Sequence, residues 1–165
     1  MSQDVSRLFL HHSSRKLRQM SEIIETCLAA LTDEQIWWRE GEQENAVGNL
    51  VLHLCGNLRQ WIGSAIAGEG DIRQREAEFA ARGGLGRHEL LALVRQTTDQ
   101  SASIIDALNP ARLAECIETQ DGSRSILETV YQVVGHFQQH TGQIIFATKR
   151  CTGRDLQLYV PHPKP

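Results

Sequence analysis

Apolar residues recur at three- and four-residue steps through four long stretches of this 165-residue chain, a period that admits little besides packed helices. The first stripe is Leu17, Met20, Ile24, Cys27, Leu28 and Leu31, extending back through Phe9 to Val5. The second, Val47, Leu50, Val51, Leu54, Leu58, Trp61, Ile62 and Ile66, stops at Gly68 and Gly70, which predicts a helix from about Ala46 to Ala67 with Asn45 as its cap. The third runs from about Arg87 to Leu108 and ends at Asn109-Pro110, because the residue before a proline is driven out of the α region. The fourth follows the turn signal Asp121-Gly122-Ser123 and carries Ile126, Leu127, Val130, Val133, Val134, Phe137, Ile144 and Ile145 as far as Cys151-Thr152-Gly153. Thr32-Asp33-Glu34-Gln35 reads as a capping box for one short turn of helix into Ile36-Trp37-Trp38. Asp71 to Gly86 reads as a long charged crossover with room for a short helix, folded over one end of the bundle, and Leu156 to Pro165, with three prolines, as an extended tail. No segment reads as a strand. The expectation is an all-α four-helix bundle, one domain over residues 1–165 with residues 155–165 as its tail, and a long crossover between the second and third long helices.

Polar residues interrupt two of the stripes. His136 and His140 form an HxxxH pair on the fourth helix, and His53 sits on the second. Residues four apart project from one helix face with Cβ atoms about 5–6 Å apart, so both imidazoles can reach one ion. His53 lies roughly 12 Å from the start of its helix and His140 roughly 17 Å from the end of its own, at about 1.5 Å per residue, so antiparallel packing would bring them to similar heights. Asn49 and Asn57 flank His53 at i−4 and i+4, while Gln132 and Gln143 flank the pair. Burying such stripes without a purpose costs free energy, although any one histidine taken singly reads as a hydrogen-bonded core residue.

The rest of the chain narrows the function by exclusion. Lysines and arginines are scattered, the formal charge is −3, and no basic block offers a nucleic-acid footprint. The four cysteines, Cys27, Cys55, Cys116 and Cys151, are far apart with no CxxC, and Asp4 and Arg7 stand where a leader would have an apolar run, which predicts a reduced, cytoplasmic protein. No apolar run is long enough to span a bilayer. Cys55, two residues from His53, is turned about 200° around the helix and reads as packing rather than as a ligand. His11 and His12 diverge because they are adjacent, with His12 the one able to face inward, and His88 and His162 read as incidental. Trp37, Trp38 and Trp61 read as packing, Trp38 being the one most able to wall a pocket mouth. Arg73, Arg75 and Arg82, interleaved with Asp71, Glu76 and Glu78, read as a salt-bridged exposed face; if the crossover covers the site, they could instead recognise an anion. Glu128, two turns before His136, reads as solvated, which leaves no carboxylate at an obvious spacing to act as a general base.

HxxxHxGQI at His136 to Ile144, together with Asn49-Leu50-Val51-Leu52-His53-Leu54, resembles the DinB/YfiT-like superfamily of metalloenzymes. Glu34 to Arg39, Gly56 to Ile62 and Asp71 to Phe79 resemble its DUF1572 subgroup, so the resemblance covers nearly the whole chain. It implies an up-down-down-up bundle, a homodimer, and one divalent ion held by His53, His136 and His140. Zinc and nickel lead as candidates, with iron or manganese as alternatives. Relatives of this kind use a low-molecular-weight thiol for transfer or isomerisation on a small-molecule substrate. The implied function is therefore a thiol-dependent S-transferase or isomerase, with a metal-dependent hydrolase and a non-catalytic metal-binding or sensing module as alternatives. Many members carry arginine after the last histidine where this chain has Thr141, so no substrate contact transfers to that position.

Overall fold

The computed structural model describes residues 2–158, with side chains from Val5 onward. Helix α1 spans Ser2–Ala29 and buries Leu17, Met20, Ile24, Cys27 and Leu28 of the expected stripe together with Leu10, whereas Val5, the expected start of the stripe, is exposed and Phe9 is half-buried. Helix α2, Asp33–Trp37, opens on the expected box: Gln35 N donates to Thr32 Oγ1 at 3.2 Å, and Thr32 N donates to Gln35 Oε1 at 2.9 Å. Helix α3, Val47–Leu58, starts one residue later than expected and is capped from within. Ala46, not Asn45, is the N-cap residue, and its N–H donates to the buried Asn49 Oδ1 at 3.1 Å. From Arg59 to Ile66 the same helix continues with π-helical hydrogen bonding, which an apolar period near 3.6 does not announce. Gly68, at φ 79°, ends it.

The crossover contains helix α4, Arg75–Ala80, and packs against α3. It is moored there by Asn49, whose Nδ2 donates to the carbonyls of Glu78 and Ala81, both at 2.9 Å. Helix carbonyls that α4 is too short to satisfy internally thus find a partner on α3. Helix α5, Arg87–Ala107, stops at the expected Asn-Pro and is followed by a 3₁₀ turn, Pro110–Ala114, with Asn109 Oδ1 accepting from Ala111 N at 3.0 Å.

A two-stranded antiparallel hairpin, β1 (Cys116–Thr119) and β2 (Gly122–Ser125), corrects the expectation of no strands. Each strand has four residues, and β2 is Gly-Ser-Arg-Ser, too short and too polar for an alternating pattern. The hairpin feeds directly into helix α6, Ile126–Thr152, through a second capping box in which Glu128 N donates to Ser125 Oγ and Ser125 N donates to Glu128 Oε2. Gly153, at φ 64°, closes α6 as a left-handed cap, and Gln157 at φ 49° interrupts the extended course expected of the tail. The remainder of that tail lies outside the described residues.

Helix α1 packs along α5 and α6, and α3 packs along the same two. Leu17, Ile24 and Leu28 of α1, Leu54 and Leu58 of α3, Leu90 and Ile105 of α5, and Ile126 and Phe137 of α6 are shut off from solvent between them. Each such side chain contributes about 1.5–3 kcal/mol from burial. Among the described residues, no helix is long and apolar enough to cross a membrane.

Candidate metal centre

His53 lies on the buried face of α3 with 5% of its surface exposed, while His136 and His140 lie half-buried on α6. The helical period places His136 and His140 one turn apart, and α3 packing on α6 brings His53 to them. Ring centroids are separated by 5.0 Å (His53 to His136), 5.1 Å (His53 to His140) and 4.4 Å (His136 to His140). One nitrogen from each ring lies within 4.8 Å of the others, close enough to converge on a single ion. His53 Nε2 and His136 Nε2 are already 2.9 Å apart.

The surroundings of two of the rings favour the neutral form, the one that ligates. Burial, reinforced by the neighbouring His140, His53, Arg73 and Arg75, pushes His136 down to about 4. Burial also lowers His140, against a hydrogen bond to Gln143 that pulls the other way.

The far nitrogens of two rings meet acceptor oxygens. His140 Nδ1 is 2.6 Å from Gln143 Oε1, so Nδ1 carries the hydrogen and Nε2 is left to face the cluster. His53 Nδ1 is 3.1 Å from Glu78 Oε2, a carboxylate brought from α4, and the Phe79 ring packs against His53 at 4.6 Å. Glu78 is itself clamped in a two-pronged pair with Arg73, Nε to Oε1 and Nη2 to Oε2, both at 2.8 Å. Arg73 Nη2 also lies 3.0 Å from His53 Nδ1, and Nη1 donates to Gln60 Oε1 at 2.9 Å. Burial pushes the Glu78 carboxyl up, but the bonds from Arg73 and then His53 outweigh it and hold the group below its ordinary range. Gly56, one turn after His53, makes room for the pair: a Cβ there would sit 1.9 Å from Glu78 Oε1.

A family model described as "Protein of unknown function (DUF1572)" matches residues 4–163. The chain belongs to the DUF1572 family. The DUF1572 chain also shares its fold with a DinB-like protein, YjoA, from Bacillus subtilis, at a TM-score of 0.67 and 12% identity, covering 92% of this chain and 96% of that one. At that identity the likeness speaks for a DinB-like fold alone. Comparison with curated proteins gives no significant sequence match.

Other residues of the DUF1572 chain fall where packing or solvent puts them. Cys55 is buried away from the histidines, and burial pushes its thiol up to about 12. His11, His12 and His88 are exposed, so His12 does not face the interior, and His162 lies outside the described residues. Gln132 is exposed and Asn49 serves α4, so of the flanking amides only Gln143 bonds to a histidine among the described residues. Trp61 is buried and Trp37 Nε1 donates to Leu85 O at 2.9 Å, whereas Trp38 is 48% exposed. Glu128 is occupied at the α6 cap. The crossover departs most from expectation: Arg75 stacks on Phe79 and Arg82 caps the end of α4, but Arg73 and Glu78 have side chains only 3% and 11% exposed. Sequence reasoning placed both on a solvated face because their spacing carries no helical period. The available signal was Gly56, a missing side chain one turn from His53 on α3.

Proposed function

We propose that this chain is a divalent-metal-dependent enzyme, a thiol-dependent S-transferase or isomerase, built on an up-down-down-up bundle of α1, α3, α5 and α6. His53, His136 and His140 would hold the ion. The observation that carries this reading is the convergence of three ring nitrogens while the opposite nitrogens of His53 and His140 face Glu78 and Gln143. That is the arrangement expected of ligating histidines, whose second nitrogen is fixed by an oxygen that sets tautomer and ring orientation. When bound, a divalent ion with three neutral ligands and an open position supplies Lewis acidity and lowers the pKa of a thiol or water placed there.

The protein's own groups then divide the work. Glu78 orients His53 and balances part of the charge, Arg73 keeps Glu78 ionised and immobile, and Gln143 fixes His140. Phe79 and the buried face of α3 exclude water on one side, leaving α6 as the open side. Transfer is favoured over hydrolysis because the nearest carboxylate, Glu78, is fully engaged by Arg73 and by the far nitrogen of His53, and so cannot serve as a general base. Zinc or nickel suits an all-imidazole set.

The test is metal analysis of protein purified without a histidine tag. Wild type should carry close to one ion per chain, and His53→Ala and His140→Ala should lose it; equal content in all three overturns the site. Turnover of electrophiles that depends on both the ion and an added thiol supports transfer. Stoichiometric metal with no thiol-dependent turnover across a broad panel leaves a metal-binding protein or a hydrolase and removes the thiol-transfer reading.

A further inference from the structure

We infer that the cleft beside the histidines, between the α2–α3 connection and the C-terminal half of α6, binds an organic acid with a flat apolar body, its carboxylate held by Arg39. This rests on the metal-site reading above and names the substrate class for it. The cleft has a volume of about 470 Å³, the size of a small-molecule site. Its apolar wall is Trp38, Val47, Leu50 and Phe146. Trp38 and Phe146 are 48% and 68% exposed, so the cleft presents two large rings to solvent. A flat ligand lying against them would remove apolar ring surface from water.

The polar wall supplies a cation with unused donors. Arg39 donates through Nη2 to Asn49 Oδ1 and Ala81 O, both at 3.1 Å, and through Nη1 to Glu44 O at 3.4 Å, all of them uncharged acceptors. No carboxylate lies within ion-pair distance of it among the described residues, and Nε–H and one Nη1–H have no partner there. Arg150 pairs with Glu40, while the exposed Glu44 is in no ion pair among the described residues and its Oε2 accepts from Glu40 N at 3.1 Å. Arg39 is the half-buried cation of the cleft with hydrogens to spare, and a carboxylate is the complement a guanidinium holds best.

Position ties the cleft to the histidines. Gln143, in its wall, is the residue that touches His140 Nδ1, and Leu50 is one turn before His53 on α3. A ligand with its acid on Arg39 and its body against Phe146 would extend along α6 toward His140.

The probes are 2-naphthoate and its neutral counterpart 2-naphthalenemethanol, titrated into the full chain loaded with Co²⁺ and into the metal-free chain, with binding followed by NMR. Naphthoate should bind about tenfold more tightly than the alcohol, a preference abolished in Arg39→Gln. Trp38→Ala and Phe146→Ala, both at exposed rings where folding is not at stake, should each weaken naphthoate about tenfold. Ring protons of bound naphthoate should relax faster with Co²⁺ than without. Equal binding of acid and alcohol, wild-type affinity in both aromatic variants, or relaxation indifferent to Co²⁺ overturns the inference. Failure of the metal reading looks different: His53→Ala would hold as much Co²⁺ as wild type, while naphthoate binding kept its dependence on Arg39 and Trp38.

Discussion

The two sides of the histidine cluster are held in opposite ways. On α6, His136 and His140 are placed by the helix itself, half open to solvent, and His140 is steadied by one neutral bond from Gln143, three residues on. On α3, His53 is buried and steadied by an ion pair whose members come from 20 and 25 residues away, on a crossover that is itself moored by Asn49. The contrast teaches that spacing alone can bring two rings together, whereas the third depends on helix packing and a tertiary clamp. The α3 side should be the stiffer and the more easily broken by distant changes.

The clamp can be attacked at several strengths. Arg73→Ala should do most: it leaves the Glu78 carboxylate buried without its cation, and removing one partner of a buried pair costs about 3 kcal/mol. Urea denaturation of the metal-free chain reads this directly, and a loss below 1 kcal/mol would place the pair in effective contact with water. Glu78→Gln keeps the shape but leaves the buried Arg73 guanidinium without its anion, so it too should cost up to about 3 kcal/mol of stability, while metal affinity falls by about 10–100-fold, the usual worth of an oriented outer carboxylate. Competition with a chromophoric chelator measures it.

How much of this contrast was legible beforehand follows from the same physics. The long helices, the α2 capping box, the Asn109-Pro110 stop and the His136–His140 pair rest on local period or local capping, and the residues state these openly, whereas His53 joins that pair through helix packing, anticipated from its height on the helix and from the family resemblance. The π-helical stretch from Arg59 was hidden because its apolar positions still suit a period near 3.6. The hairpin was hidden because four-residue strands have too few positions to alternate. Arg73 and Glu78 were hidden because charge alone does not say whether a pair faces water or a histidine. Only the depth of the groove over Gly56 decides that, and depth is a property of the assembled molecule.

Gly56→Ala therefore tests the clamp without touching a charged group. Alanine is the better helix former by about 1 kcal/mol, so α3 should not suffer. Its methyl group would nonetheless displace Glu78 Oε1 from a position 1.9 Å away and loosen the pair with Arg73, so metal affinity should fall by about tenfold and stability by about 1–3 kcal/mol. Wild-type affinity in this variant would mean that Glu78 can shift and still support His53. The smallest effect belongs to the other side: Gln143→Ala removes a neutral bond at an exposed position, worth about 1 kcal/mol, so affinity should fall by less than about tenfold. If Gln143→Ala proved as damaging as Glu78→Gln, the contrast between the two sides would collapse.

The 2.9 Å contact between His53 Nε2 and His136 Nε2 has a kinetic consequence. Two ring nitrogens that close share a single hydrogen, donated by one and accepted by the other. An ion that takes both nitrogens needs both lone pairs, so the shared hydrogen must first move, either to the Nδ1 of its own ring or out to solvent. Loading of the proposed ion would thus be a proton relocation as well as a coordination event. The three rings would govern how tightly an ion is kept, while the mobility of one hydrogen between two of them would govern how fast it is taken up.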